Sequence, residues 1–170
     1  MSEPITQLIK VDQDNQTAFV NLYNLFHHDR AIYLPDMYPS VDNEGYYDKA
    51  NTLATLVIDP EKAISYLIKH DDSFAGFVVF ALPPIMSHHG CDYSIIDIFI
   101  LNSHRGNGIG TTVCKQLFAQ YAGKHQVEVV IHDQSARKFW ERIIAKEGQP
   151  IKQEEKPEEH LVVYEFNIGG

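Results

Sequence analysis

Residues Arg105-Gly106-Asn107-Gly108-Ile109-Gly110 have the types and spacing to hold an anion. They follow an apolar run ending at Leu101 and open a stretch in which Ile109, Val113, Leu117 and Tyr121 recur every four residues, the spacing of an amphipathic helix. The first N–H groups of a helix have no intrahelical partner, and the aligned peptide dipoles add about half a positive charge there. Glycines let that backbone approach phosphate oxygens closely. The run is no Walker loop, since no Lys-Ser/Thr follows, and no GxGxxG fingerprint. It reads R-x-x-G-x-G. A second position is Asp97, a lone acid among Ile95, Ile96, Ile98, Phe99 and Ile100. A carboxylate in such a run is costly unless it is paired or used. Strand alternation puts Asp97, Phe99 and Leu101 on one face and Ile96, Ile98 and Ile100 on the other.

These residues need a frame, and the periodicity supplies one. Thr6 to Val11 alternates as a half-buried strand. Asp14 or Asn15 offers a cap for a helix carrying Phe19, Leu22, Tyr23, Leu25 and Phe26 and ending near His27-His28-Asp29. Leu34 to Asp48 has two prolines, a glycine and no period, and reads as a long loop. Leu53 to Ile58 is ambiguous. Ala63–His70 and Phe74–Leu82 read as a hairpin turning at Asp71-Asp72-Ser73. Tyr93–Leu101 is a further strand, Gly108–Tyr121 a helix, Val127–Ile131 a short strand and Ser135–Lys146 a helix. Glu154 to Glu159 reads as a charged hairpin tip before a last strand, Leu161–Ile168. The order β, α, loop, β, β, β, α, β, α, β predicts one mixed α/β domain over residues 1–170.

Strand, R-x-x-G-x-G, helix, strand, then Ala136-x-x-Phe139-Trp140 on a second helix resembles the GNAT superfamily of acyl-CoA-dependent N-acyltransferases. The likeness is best from Phe74 to Lys146 and extends to small bacterial predicted acetyltransferases. It implies a central, mostly antiparallel sheet with one splayed parallel pair and helices on both faces. It implies acetyl-CoA as co-substrate, with Phe99 and Ile100 pairing the pantetheine arm. The N–H groups of Arg105, Gly106, Asn107, Gly108, Ile109 and Gly110 would hold the pyrophosphate, with Thr111 beside it. Ser135 and Phe139 would line the acyl and thiol end, and the Ile100 N–H would be the oxyanion donor.

Two positions depart from the family pattern. Trp140 stands where many members have an acidic tyrosine, and its indole N–H does not titrate in water. Asp133 stands where the family has asparagine. Both leave the general acid open: Tyr33, Tyr93 and Tyr164 are unranked candidates, and solvent could protonate the thiolate. Asp97 is the best-placed carboxylate for a general base, with an acceptor anchor or a buried hydrogen-bonded acid as its other readings. No cysteine occupies a nucleophile position in the motifs, which favours direct transfer to a primary amine in a ternary complex over ping-pong chemistry. A catalytically weak acyl-CoA sensor or scaffold is the alternative class.

The net charge of −9 argues against nucleic acid as a partner. Residues 1–100 hold 14 acidic and 5 basic side chains, whereas residues 101–146 hold seven basic against three acidic. That asymmetry suits an anion in one place and a cation in another. The acceptor is therefore read as a small-molecule or peptide amine, cationic in character and drawn by Asp29, Asp36, Asp42, Glu44 and Asp48. Arg137-Lys138 is either a solvated pair or a contact for the outer phosphate of the coenzyme. His27-His28-Asp29 and His88-His89-Gly90-Cys91 lack a second cluster at ligand spacing, so no metal is expected. Cys91 and Cys114 form no CxxC pair and read as free buried thiols in a reducing cytoplasm. No apolar run approaches the roughly 20 residues that span a bilayer. The Met1-Ser2-Glu3-Pro4 start, with no apolar stretch behind it, predicts no secretory leader and a cytoplasmic setting. Monomer and homodimer are both open.

Overall fold

The computed structural model describes residues 5–82 and 90–169. The elements are β1 (Thr6–Lys10), α1 (Gln16–Ala31), the short helix α2 (Lys49–Thr52), β2 (Ala63–His70), β3 (Ser73–Ala81), β4 (Tyr93–Ile100), α3 (Ile109–Gln120), β5 (Gly123–Val130), α4 (Gln134–Glu147), β6 (Gln149–Lys156) and β7 (Leu161–Ile168). Seven strands form one sheet in the order β1-β2-β3-β4-β5-β7-β6. Every neighbouring pair is antiparallel except β4 and β5.

The helices divide the core in two. On one face α3 and α4 bury Val113, Leu117, Trp140 and Ile143 against Val78, Ile95, Val127 and Phe166. On the other, α1 lays Phe19, Val20 and Tyr23 over Leu67, Phe77, Val79 and Phe99. Phe19, Tyr23, Phe26 and His27 follow the 3.6-residue period, and this is why α1 can cover β2 to β4 with one stripe.

The structure corrects three readings. Gln149–Lys156 is a full strand, not only the approach to a hairpin tip. It lies at the sheet edge with seven of its eight residues exposed, so no buried face imposes alternation, and its charges block further pairing. The ambiguous stretch before β2 is α2 followed by a π-helical turn, Leu53–Val57. In β4 the register against β3 shifts between Val79 and Phe80, leaving Ile96 as a bulge. Past it parity reverses, and Ile96 packs with Phe99 and Leu101 on the α1 face while Ile98 and Ile100 pack on the other.

Candidate functional site

β4 and β5 pair only from Tyr93 to Ile95 against His125 to Val127, and then diverge as β4 runs on to Ile100 and β5 to Val130. The bulge at Ile96 bends β4 where the pairing stops. The result is a V open at its wide end. The N–H of Leu101 donates to the Ala75 carbonyl at 2.8 Å. Backbone groups alternate sides along a strand, so those of Phe99 face β3 and those of Ile98 and Ile100 face the V. The Phe99 carbonyl lies against Gly76, where any Cβ would collide with it.

The glycine-rich turn sits at this opening. Gly106 and Gly108 have φ of 82° and 76°, the left-handed region that favours glycine, and Gly108 is the N-cap of α3. The first intrahelical bond is Thr112 N–H to Gly108 carbonyl, so the N–H groups of Ile109, Gly110 and Thr111 project from the helix end. Gly110 serves packing instead: a Cβ there would lie 3.1 Å from the Phe139 ring. The contact seats the first turn of α3 on α4, whose own start is capped by Asp133 accepting the Ala136 N–H at 2.9 Å. A cleft of about 900 Å³ runs from this turn through the V, with Ser135, Phe139, Lys138 and Arg142 on the α3/α4 side and Phe26, Ile32 and Tyr33 on the α1 side.

On the α1 face the Asp97 carboxylate is buried and doubly engaged. Tyr23 donates its hydroxyl to Oδ2 at 2.6 Å, and Arg30 donates from Nη1 to Oδ1 at 3.0 Å. Burial, then the Asp97 charge, pushes the Tyr23 hydroxyl well above the ordinary tyrosine range. His27 is buried beside it, stacked on Tyr38 at 4.7 Å, and burial holds its imidazole below the usual histidine value. Burial raises the Tyr38 hydroxyl as well. One residue before Arg30, Asp29 accepts from Arg105 Nη2 at 3.0 Å, while Arg105 Nε donates to the Ile100 carbonyl at 2.8 Å. The last turn of α1 thus grips β4 at Asp97 and again at Ile100.

The sequence model of the Acetyltransferase (GNAT) family matches residues 11–144. The chain belongs to the GNAT acetyltransferase family. Among curated proteins no relative matches. Among solved structures, an acetyltransferase from Thermus thermophilus is similar over 96% of this chain and 97% of its own, with 18% identity and a TM-score of 0.62. A structure described as histone acetyltransferase HPA2 and related acetyltransferase, from Corynebacterium glutamicum, matches over 97% of both chains with 10% identity and a TM-score of 0.69. The GNAT domain of S. lividans PAT matches over 96% of this chain and 90% of its own, with 12% identity and a TM-score of 0.63. At such identities these three carry the fold alone.

Within this GNAT chain the structure brings Ile100, Gly106, Gly108, Ile109, Gly110, Thr111, Ser135 and Phe139 to one cleft. Asn107 lies exposed in the same turn. Phe99 and Arg105 line the same cleft, but the Phe99 backbone faces β3 and its ring lies under α1, whereas Ile98 turns its backbone to the V. The Arg105 side chain is committed to Asp29 and Ile100 rather than aimed at the turn. Arg137 bonds Glu155 and the Ile131 carbonyl, and Lys138 alone of that pair lines the cleft. Trp140 is a core residue with its ring edge-on to Phe139. Of the three tyrosines, Tyr33 lines the cleft, Tyr93 packs among Phe80, Tyr121 and His125, and Tyr164 donates to Glu141.

The expected acidic surface is largely committed: Asp42 accepts the Glu44 and Tyr46 N–H groups, and Glu44 pairs with Lys49. Cys114 is fully buried and burial pushes its thiol up to about 12. Among the described residues no group of three or more His, Cys, Asp or Glu could hold a metal, and His88-His89 lies outside them. Among these residues no helix is long and apolar enough to cross a membrane. Tyr23 and Arg30 are invisible to motif reasoning. Their signal is only a polar edge on the buried stripe of α1.

Proposed function

We propose that this chain is an N-acetyltransferase that transfers acetyl from acetyl-CoA directly to a primary amine in a ternary complex. The observation that carries the reading is the open V between β4 and β5 beside a turn of left-handed glycines whose N–H groups face outward. Acetyl-CoA supplies the thioester. The N–H groups from Gly106 to Thr111 take its pyrophosphate, and Lys138 and Arg142 lie where its anionic end would emerge. Ile98 and Ile100 present strand-edge groups to the pantetheine arm, and the Ile100 N–H donates to the carbonyl oxygen as negative charge builds there.

Asp97 is the proton acceptor in this reading. A carboxylate has about four lone-pair sites, and Tyr23 and Arg30 use two of them. Asp97 takes one proton from the ammonium and frees the nitrogen lone pair. As that nitrogen bonds to the acetyl carbon and the carbon–sulfur bond breaks, its second proton passes to the leaving thiolate, directly or relayed by Tyr33 or water. Neither described cysteine lines the cleft, which supports direct transfer. The reading places the protein in the cytoplasm, requires no metal, and is compatible with monomer or homodimer. Its test is calorimetry with acetyl-CoA followed by a thiol-release assay over primary amines. Micromolar binding with amine-dependent thiol release is expected, whereas binding without turnover assigns the protein to the sensor class.

A further inference from the structure

The two faces of the V are not equivalent, and from this we infer which residue receives the acceptor: Glu128 binds the incoming ammonium of an amine whose flank is apolar. The inference rests on the N-acetyltransferase reading above. The anion-holding turn opens α3, which packs on the α3/α4 face, so the co-substrate enters from that side. The acceptor must reach the thioester from the α1 face.

Val127 and Val129 belong to the α3/α4 core, so Gln126 and Glu128 point to the other face, the one that carries Asp97. Pairing of the two strands ends at Ile95 and Val127. Asp97 on β4 and Glu128 on β5 therefore flank the opening of the V on the acceptor side. Four carboxylates line the cleft: Asp29, Asp97, Glu128 and Asp133. Asp29 is paired with Arg105, Asp97 with Arg30, and Asp133 caps α4. Among the described residues Glu128 is the member committed to neither a cation nor a helix end. The Gln126 amide donates to its Oε1 at 3.0 Å from a side chain that is 1% exposed. A buried amide fixes the carboxylate and leaves its charge uncompensated.

Beside the paired charges of Asp29, Arg30 and Asp97, the acceptor side carries an apolar flank. Ile32, 80% exposed, and Tyr33, 38% exposed, line the cleft beside Phe26. A cation carrying a hydrophobic or aromatic flank fits this combination, and a small polar amine leaves Ile32 and Tyr33 uncovered.

The test uses the full chain, acetyl-CoA and four amines: phenethylamine, hexylamine, ethanolamine and phenylalanine. The wild type is expected to favour phenethylamine and hexylamine over ethanolamine by about tenfold or more in kcat/KM, and to discriminate against phenylalanine, whose carboxylate would face Glu128. Glu128→Gln keeps the acceptor atom for Gln126 and should leave the melting temperature and acetyl-CoA affinity unchanged. It should raise KM for phenethylamine about 10–100-fold, the worth of one hydrogen bond to a charged group, and narrow the gap to phenylalanine. Ile32→Ser, at an exposed position, should erase the preference over ethanolamine alone. An unchanged KM in Glu128→Gln, or a fall in kcat without a change in KM, overturns the assignment while the N-acetyltransferase reading stands. A wild type that binds acetyl-CoA and acetylates none of the four overturns the acceptor assignment, and the N-acetyltransferase reading falls with it only where no primary amine of the wider screen releases thiol.

Discussion

On the α3/α4 face the sheet is sealed by aliphatic and aromatic side chains, and the buried polar group there, His125, is ringed by Phe80, Tyr93, Phe118 and Phe166. On the α1 face an equally apolar floor of Phe77, Val79 and Phe99 is interrupted by Asp97, clamped between Tyr23 and Arg30. In the proposed reading the difference follows from what each side would hold. A pyrophosphate can be held by backbone N–H groups, which any sequence supplies once glycines shape the turn. An amine acceptor would need side-chain charge, and a charge buried on a sheet face, as Asp97 is, must be paired to be tolerated. Backbone recognition is written in adjacent residues, whereas side-chain recognition is written in contacts 67 and 74 residues apart.

Removing the charge from the α1 face should have the largest effect. Asp97→Asn keeps the size of the side chain and one acceptor oxygen, but it loses the charge and turns an amide NH2 toward one of the two donors, Tyr23 or Arg30. If this face carries the proton transfer, kcat should fall about 10²–10⁴-fold, with acetyl-CoA affinity unchanged. Steady-state kinetics with phenethylamine, calorimetry and a thermal melt distinguish the outcomes. A rise in KM alone makes Asp97 an anchor, and a lowered melting temperature with normal kcat makes it a structural partner of Arg30.

The matching break on the other face is Gly108→Val. Nothing lies within 4 Å of a Cβ at this position, yet φ is +76°. The substitution therefore costs about 1–2 kcal/mol of left-handed strain and places bulk only where a ligand would come. Acetyl-CoA affinity should drop about 10–100-fold, one or two charge-assisted hydrogen bonds, while KM for the amine holds. Calorimetry that finds wild-type affinity in Gly108→Val removes the turn from the cofactor site.

The same contrast explains what can be read from the chain. The hairpin of β2 and β3, α3, α4 and the R-x-x-G-x-G turn are legible because each is local: apolar period, glycine placement and cap lie within a few residues. β6 is not, because an exposed edge strand such as Gln149–Lys156 carries no pattern that burial would impose. The side that Ile96 takes escapes simple alternation because a bulge is set by the partner strand's register, not by the bulged residues. Asp97 stands out as a buried acid, but its partners cannot be named from sequence, since Tyr23 looks like one more aromatic in the stripe of α1 and Arg30 like a cation at a helix end.

A smaller perturbation asks how much of the α1 network is structural. Tyr23→Phe keeps the ring packing against Phe19 and Phe77 and deletes one hydrogen bond to Asp97. Stability should fall by about 1–3 kcal/mol, read as a lower denaturant midpoint at unchanged slope. A midpoint equal to wild type would mean that Arg30 alone holds the carboxylate.

The mildest test is acid, because it touches two imidazoles and no contact geometry. His27 on the α1 face and His125 on the α3/α4 face are both held below the ordinary histidine value by burial. A base with a lowered folded value takes up its proton first in the unfolded chain, so stability is full above about pH 6.5, the unfolded value. It is lost as pH falls from there through the folded values, with the unfolded state binding more protons throughout. The two groups should respond differently to removal. His125 Nε2 donates to the Tyr121 carbonyl at 2.7 Å, so His125→Phe strips that acceptor of its partner and lowers stability at every pH. His27 works through stacking on Tyr38, so His27→Phe keeps the ring and should remove only its share of the slope. Denaturant midpoints from pH 8 to pH 5 for wild type and both variants decide the matter. Slopes identical in all three would show that neither imidazole carries the acid sensitivity, which then comes from other titrating groups.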